Sequence, residues 1–174
     1  ISAVLPGAHC GSCGYSGCDG YAKALADGAK STTLCNPGGE DVANQIAEIL
    51  GVKAGKMKKI VAVVACGGNC DSSKKNFEYD GIQSCAAANQ LQGGPNACKF
   101  GCLGFGDCVN VCEKGAIKVC NGVAVVDQSL CKGCKACEKA CPKSIIKMVN
   151  VEEQKAFVYC QNTEKGALTR KECT

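Results

Sequence analysis

The chain has 174 residues, 18 of them cysteine, with no tryptophan and a formal net charge of +4. That length suits one or two small domains, and with aromatics at 5% large rings cannot fill much of a core, so something else must hold it. Arg170 is the only arginine and basic residues are not interleaved with stacking aromatics, which argues against nucleic-acid binding; no run of 18 or more apolar residues exists to span a bilayer. Cysteine at about a tenth of the chain would suit a disulfide scaffold in a secreted protein. Tight cysteine triplets suit a metal or cluster better, and a reducing, cytosolic setting follows.

Residues 5–35 place Cys10, Cys13, Cys18 and Cys35 in a C-x2-C-x4-C-x16-C spacing, interleaved with Gly7, Gly11, Gly14, Gly17 and Gly20. Such a loop can take left-handed backbone angles and bring amide N–H groups close to the sulfurs of an anionic cluster. From Cys18, the residues Tyr21, Ala22, Leu25, Ala26 and Ala29 fall on one helical stripe, so the third ligand sits at a helix start and the fourth returns on the loop. A four-cysteine zinc site is the alternative for the same spacing. His9 reads as a loop residue. Gly38-Gly39-Glu40-Asp41 opens a second helix with an acidic first turn; Val42, Ile46, Ile49 and Leu50 form its core face and Gly51 its stop. Together these make an N-terminal iron-sulfur domain, residues 1–55.

The middle segment, residues 56–97, begins with the basic hinge Lys56 to Lys59. The apolar run Ile60 to Ala65 reads as a buried strand delivering Cys66, with Cys70 four residues on and Cys85 after a polar loop. These three are either ligands of a further cluster or ordinary buried thiols. The strand ending in C-G-G-N-C resembles a ligand loop, which favours the cluster. Ser84 to Leu91 is a short helix, broken by Gly93-Gly94-Pro95.

Residues 98–150 carry the strongest signal. Cys131 to Pro142 is C-x2-C-x2-C-x3-C-P, the bacterial ferredoxin run whose fourth cysteine ligates the neighbouring cluster. Sliding the chain by 29 residues lays Cys102 on Cys131, Cys108 on Cys137 and Cys112 on Cys141, a two-fold internal repeat. Phe105 stands where Cys134 predicts a ligand, and Glu113 replaces the proline. Cys98 is the nearest thiol to fill that corner. One cluster is therefore expected on Cys98, Cys102, Cys108 and Cys141, with a three-iron form open there, and another on Cys112, Cys131, Cys134 and Cys137. Between the two runs, Ala116 to Asp127 alternates about Asn121-Gly122, a type I′ hairpin signal. Cys120 is left unligated.

A third copy would start at Cys160, but Thr163, Gly166 and Arg170 occupy the next ligand positions. Residues 151–174 thus read as the start of a C-terminal extension, with Val149 to Tyr159 returning as a strand. Cys160 is the expected fourth ligand of the Cys66, Cys70 and Cys85 group, with Cys173 and Cys98 as rivals. The fold class is α+β: a helical N-terminal iron-sulfur domain, a short α/β middle segment and a dicluster ferredoxin-like module. Three [4Fe-4S] clusters are expected, with the Cys66 group adding a fourth. No catalytic triad, metalloprotease motif, P-loop or full dinucleotide fingerprint is present, so neither flavin nor nicotinamide is expected on this chain.

LPGAHCGSCGYSGCDGYAKAL with Cys35-Asn36-Pro37-Gly38-Gly39, the central VACGGNC, the CKFGCLGFGDCVNVC run and the ferredoxin motif together resemble the B subunit of Rnf-type ferredoxin:NAD+ oxidoreductase complexes, along nearly the whole chain. The first motif alone also resembles the iron-sulfur domain of the corrinoid iron-sulfur protein. The Rnf resemblance implies a transmembrane anchor preceding Ile1 and ferredoxin clusters beyond Cys173, on a body at the cytoplasmic face of the membrane. It further implies an electron carrier that takes electrons from reduced ferredoxin and passes them to membrane and flavin subunits, which reduce NAD+ and export Na+ or H+. Lys132, Lys135, Lys139 and Lys143 are expected to offer positive charge to an acidic ferredoxin. The alternatives are a polyferredoxin adaptor serving a soluble corrinoid or other redox enzyme, and a structural zinc module.

Overall fold

The computed structural model describes residues 1–153 and 156–174 of an α+β chain built from short elements. In chain order these are α1 (Cys18–Ala26), α2 (Gly39–Leu50), β1 (Ile60–Val64), α3 (Cys85–Gln90), α4 (Asp107–Asn110), β2 (Ile117–Cys120), β3 (Val123–Val126), α5 (Ala136–Ala140), β4 (Ile146–Asn150) and α6 (Gly166–Glu172). Two compact units are present. The first comprises Ile1–Val61, Lys132–Lys135 and Asn150–Glu153, and the second is the described remainder, which takes in parts of all three segments that the sequence separates at residues 56, 98 and 151.

In the first unit, α1 starts at the third cysteine because the chain turns there through Gly17 at φ 113°, where a Cβ would stand 2.8 Å from His9 Nδ1. That nitrogen accepts the Cys18 N–H at 3.3 Å, so His9 is more than a loop residue: it satisfies a free donor at the helix start. Tyr21, Ala22 and Leu25 are buried; the helix ends at Ala26, which is exposed, while Ala29, just past its end, still packs half-buried against the same core. The Tyr21 hydroxyl donates to Ser31 O at 2.7 Å, and its ring stacks on Tyr15 with centroids 5.4 Å apart. Helix α2 closes at Gly51 in the left-handed region, φ 65°, as expected. Its buried face is Ala43, Ile46 and Ala47, and Ile49 is 54% exposed. Ile46 joins the core of Leu5, Tyr21, Leu25 and Cys35, and Val42 and Leu50 pack half-buried against it, so of the expected face only Ile49 turns outward.

In the second unit, the core joins Ala62, Val64, Ile117, Val123, Ala124, Ile145 and Ile146 to three cysteines, Cys102, Cys108 and Cys137. Thiols behave here as small hydrophobes and supply the bulk that the missing aromatics do not. Strand β1 pairs with β4, and the Ala65 N–H reaches Ile145 O at 2.7 Å. β2 and β3 form the expected hairpin, pairing Ile117 with Val126 and Cys120 with Val123. Its turn is Asn121 at φ 46° and Gly122 at φ 79°, the two positive angles of a type I′ turn. Strand β4 ends at Asn150, so the strand expected over 149–159 is not continued in the described residues, and residues 154–155 lie outside them. Helix α6, which the sequence did not suggest, leads into Cys173. Among the described residues no helix is long and apolar enough to cross a membrane.

The 29-residue repeat is realised in the backbone. Helices α4 and α5 begin at Asp107 and Ala136, and β2 and β4 at Ile117 and Ile146. Left-handed residues recur at the same offset: Gly104 and Gly133, Gly106 and Lys135, Gly115 and Ser144. At the first pair only glycine fits, because a Cβ on Gly104 would lie 2.6 Å from Gly122 O and one on Gly133 2.6 Å from Ile60 O. Gly115 has the same backbone sign and open space. Gly115→Ala should therefore cost about 1 kcal/mol, the ordinary cost of a left-handed Cβ. Gly104→Ala and Gly133→Ala should each cost more, since backbone must also move. Urea unfolding midpoints would check the order; equal losses at all three positions would refute the close-approach argument.

Candidate functional site

Cys10, Cys13, Cys18 and Cys35 line one narrow cavity of the first unit, together with Leu5, Gly11, Gly17 and Tyr21, and the void between them is about 10 Å3. The glycine-rich loop brings Cys10 and Cys13 to the start of α1, and Cys35 returns after it. Burial pushes the Cys35 thiol up, opposed by a hydrogen bond from the Gly38 backbone and reinforced by the neighbouring Cys18, Cys10 and Cys13.

A second cavity, of about 20 Å3, lies in the second unit and is walled by Cys85, Cys102, Cys108 and Cys141 with Val64, Leu103 and Ile145. Burial, then the nearby Cys102, Cys85 and Cys141, push the Cys108 thiol up to about 12. The Cys102 thiol is also raised, burial again being the main cause. Cys85, not Cys98, stands with this group, and the reason is local. Phe105 occupies the repeat position of Cys134 and packs edge-on against Tyr79, centroids 5.4 Å apart, in a small cluster with Cys85, Ala88 and Leu103. Asp107 then fixes the helix that carries Cys85: its Oδ1 accepts the Cys85 N–H and its Oδ2 the Ala86 N–H, both at 2.9 Å, and Ser84 Oγ donates to Oδ2 at 3.0 Å. The first turn of α3 thereby receives an anion and two acceptors. Sequence reasoning missed Asp107; an acidic residue directly before a ligand cysteine carries no spacing signal of its own.

The third cavity, about 230 Å3, is lined by Cys66, Cys98, Cys160 and Cys173 with Gly67, Gly68, Phe100 and Asn162. Cys66 faces Cys160 and Ser73 faces Cys173 in isolated antiparallel bridges. Cys98 is buried, and burial raises its thiol against hydrogen bonds from the Phe100 backbone and the Asn162 side chain. Cys66 and Cys160 thus line one cavity, whereas Cys85, grouped with them in the sequence, lines the second. Cys70 belongs to none of the three: it is exposed, and its N–H donates to Asn121 O in the hairpin turn at 2.9 Å.

Of the remaining expected group, Cys137 lies in the second unit's core, and Cys112 and Cys131 pack against it half-buried. The Cys112 sulfur accepts the Ala116 N–H and the Cys131 sulfur the Ala62 N–H, each at 3.3 Å. Cys134 is half-buried and Cys120 exposed. Among the described residues no three His, Cys, Asp or Glu side chains converge on the single point that one tetrahedral zinc ion requires. Of the four lysines, Lys132 and Lys139 are exposed and Lys135 half-buried. Lys143 is turned inward: its Nζ donates to Lys99 O at 2.7 Å, and desolvation lowers its pKa against the opposing pull of Cys98 and Cys141.

Two family models match: FeS, described as "Putative Fe-S cluster", over residues 5–37, and Fer4, the 4Fe-4S binding domain, over residues 124–147. The chain is 41% identical to the B subunit of the Na(+)-translocating ferredoxin:NAD(+) oxidoreductase complex of Acetobacterium woodii, with all of this chain and 52% of that protein aligned. It is 45% identical to the B subunit of the proton-translocating ferredoxin:NAD(+) oxidoreductase complex of Clostridium ljungdahlii, covering all of this chain and 62% of that one. Against the B subunit of the ion-translocating oxidoreductase complex of Methanosarcina acetivorans it is 33% identical, over 99% of this chain and 66% of the other. The chain therefore spans about half to two thirds of the length of these relatives.

Removal from water pulls the Asp107 carboxyl upward, but the Ala86 and Cys85 N–H groups and the Ser84 hydroxyl outweigh it, and its pKa is held below the usual carboxylate value. The stability this contributes is present above the unfolded pKa, about 4, and is lost as pH falls through the lower folded value. Asp107→Asn should cost about 1 kcal/mol at neutral pH and remove that acid-side loss. A urea-unfolding series against pH checks both; an unchanged acid limb in the variant would exclude Asp107 as its source.

Proposed function

The chain belongs to the family of B subunits of the ion-translocating ferredoxin:NAD(+) oxidoreductase complexes, and from that membership we propose that it is an electron-relaying iron-sulfur body of such a complex. The observation that carries the reading is the four-thiol wall of Cys10, Cys13, Cys18 and Cys35, in a chain aligned along its full length with proteins of that family. Reduced ferredoxin is the proposed donor, the other subunits of the complex the acceptors, and the cytoplasmic face of the membrane the location.

The residues present fit [4Fe-4S] clusters. The donors are thiols alone, grouped in fours, and backbone N–H groups of Ala62 and Ala116 point at two of the sulfurs. A bound [4Fe-4S] cluster supplies reversible one-electron transfer at a potential set by its surroundings. The proposed sites are Cys10, Cys13, Cys18 and Cys35, and Cys85, Cys102, Cys108 and Cys141, each sharing a cavity, with Cys112, Cys131, Cys134 and Cys137 proposed from the ferredoxin spacing alone. The second takes Cys85 in place of Cys98, on the evidence of the shared cavity.

The chain's own work is to hold, tune and exclude. Thiols that are raised while unligated must lose their protons when they bind metal, so site filling releases protons and is favoured by higher pH. N–H donors to sulfur stabilise the more negative, reduced state and raise the potential. Apolar walls at Val64, Leu103 and Ile145 keep water from the second site. Lys132, Lys135 and Lys139 remain the candidate ferredoxin contacts, whereas Lys143 is engaged internally.

Anaerobic metal analysis of the full chain should find iron and acid-labile sulfide, at about four irons for each of at least three sites, with paramagnetic signals of interacting clusters after dithionite reduction. Zinc in place of iron would defeat the electron-transfer reading. Replacing Lys132, Lys135 and Lys139 together by glutamine should slow reduction by ferredoxin and flatten its dependence on ionic strength. An unchanged rate at low salt would remove these lysines from the encounter surface.

A further inference from the structure

Resting on the iron-sulfur reading above, we infer that Cys66, Cys98, Cys160 and Cys173 form a further four-thiolate site that holds its own iron-sulfur cluster. No spacing rule links these four. They come from the end of β1, the loop after α3, the stretch before α6 and the residue after α6, and they meet only because the fold brings those segments to one cavity.

The cavity is shaped for an occupant. At about 230 Å3 it is far roomier than the two other cysteine-walled spaces, about 20 and 10 Å3. Gly68 lies between two of its thiols: a Cβ there would stand 3.1 Å from the Cys173 sulfur, 3.7 Å from the Cys66 sulfur and 2.8 Å from Ser73 Oγ. A bare Cα at that point keeps a cradle open that any other residue would fill. Donors are already aimed at the sulfurs. Asn162 Nδ2 lies 3.6 Å from the Cys98 sulfur, and the Cys102 N–H donates to the Cys66 sulfur at 3.4 Å. Asn162 is itself held, because its Oδ1 accepts the Glu164 N–H at 2.7 Å. The lining includes no histidine and no carboxylate, so the donor set is all sulfur. Soft thiolates alone suit an iron-sulfur cluster or zinc, and no three of these side chains converge as a single ion would require among the described residues.

The bookkeeping of cysteines supports the assignment. With this group the four sites use sixteen of the 18 cysteines, and the two left over, Cys70 and Cys120, are both exposed and line none of the three cavities. Cys160 is also exposed, which gives a direct comparison.

The test is alkylation footprinting of the full chain, loaded anaerobically with iron and sulfide, against the same chain stripped of metal. Loading should protect Cys160, Cys173 and Cys98, while Cys70 and Cys120 stay reactive in both states. Iron analysis of alanine variants gives the second arm. Cys98→Ala, Cys160→Ala and Cys173→Ala should each lower iron and sulfide by about a quarter, from about sixteen irons to about twelve, or by one iron with a three-iron signal in the oxidised protein. Cys70→Ala and Cys120→Ala should retain the full content. Retention of the other irons shows that a variant has folded. Equal labelling of Cys160 and Cys70 in the loaded chain, full iron in the Cys173→Ala variant, or zinc or a Cys66–Cys160 disulfide at this cavity would overturn the inference while leaving the three-site reading intact. A loaded chain with no iron at all would defeat that reading itself.

Discussion

A neutral thiol can be buried among aliphatic side chains, but a thiolate cannot stay there without a compensating positive charge, and both units are built around that difference. Cys35 sits in the core of the first unit with Tyr21, Leu25 and Ile46. Cys102, Cys108 and Cys137 sit in the core of the second with Val64, Ile117, Ile145 and Ile146. Burial that makes these sulfurs useful as packing is the same burial that pushes Cys108 to about 12. Removing the proton is then worthwhile only if several sulfurs share a metal centre that takes up the charge. On the proposed iron-sulfur reading, core formation and site formation are coupled, and buried thiols stand in the cores where few aromatics do.

What the sequence made legible was whatever is local or periodic. The 29-residue offset gave the ferredoxin halves, and the backbone repeats it to the residue, including left-handed angles at Gly104 and Gly133. Asn121-Gly122 gave the hairpin, and the apolar run from Ile60 gave β1. The losses have a common cause in long-range geometry. Cys98 lies four residues from Cys102 and Cys85 seventeen, so spacing favours Cys98. The choice is made by a carboxylate capping a helix and by a phenylalanine filling the vacant corner, and neither leaves a pattern in one sequence. The expected face of α2 meets the core at Val42, Ile46 and Leu50; only Ile49 turns out to solvent, and the small Ala43 and Ala47, which carry little weight in an apolar pattern, are buried instead. Helix α6 is short, starts at a glycine and buries no residue, so it offers no amphipathic stripe to read.

The two ferredoxin halves differ in how they are completed, and this bears on electron relay. In the proposed assignment the run from Cys131 keeps three ligands, Cys131, Cys134 and Cys137, in one short segment and takes its fourth, Cys112, from the other half. The wall around Cys102 and Cys108 takes in Cys85 from a separate helix, secured through Asp107, so the proposed site there depends on packing as much as on chain connectivity. Potentials of such centres respond to burial, local charge and hydrogen bonds to sulfur. The sites differ in all three: one has apolar walls, another receives the Asn162 amide, and Lys143 stands near Cys98 and Cys141 with its amine partly desolvated. The proposed relay needs unequal steps, and these unequal surroundings supply a physical basis for them.

The walls of the cavities also differ in how they are spread along the chain, and that sets a calendar for biosynthesis. The thiols of the first cavity all lie between Cys10 and Cys35, and its lining between Leu5 and Pro37, so its wall can close as soon as those residues have left the ribosome. The third cavity draws on Cys66 and Cys173, and its wall stays incomplete until the ribosome has passed residue 173. Through the intervening synthesis Cys66 and Cys98 have no finished partner set, which makes them the thiols most in need of protection from oxidation on the nascent chain. For the proposed sites, the order of the cysteines along the chain gives maturation a direction, from the N-terminus onward.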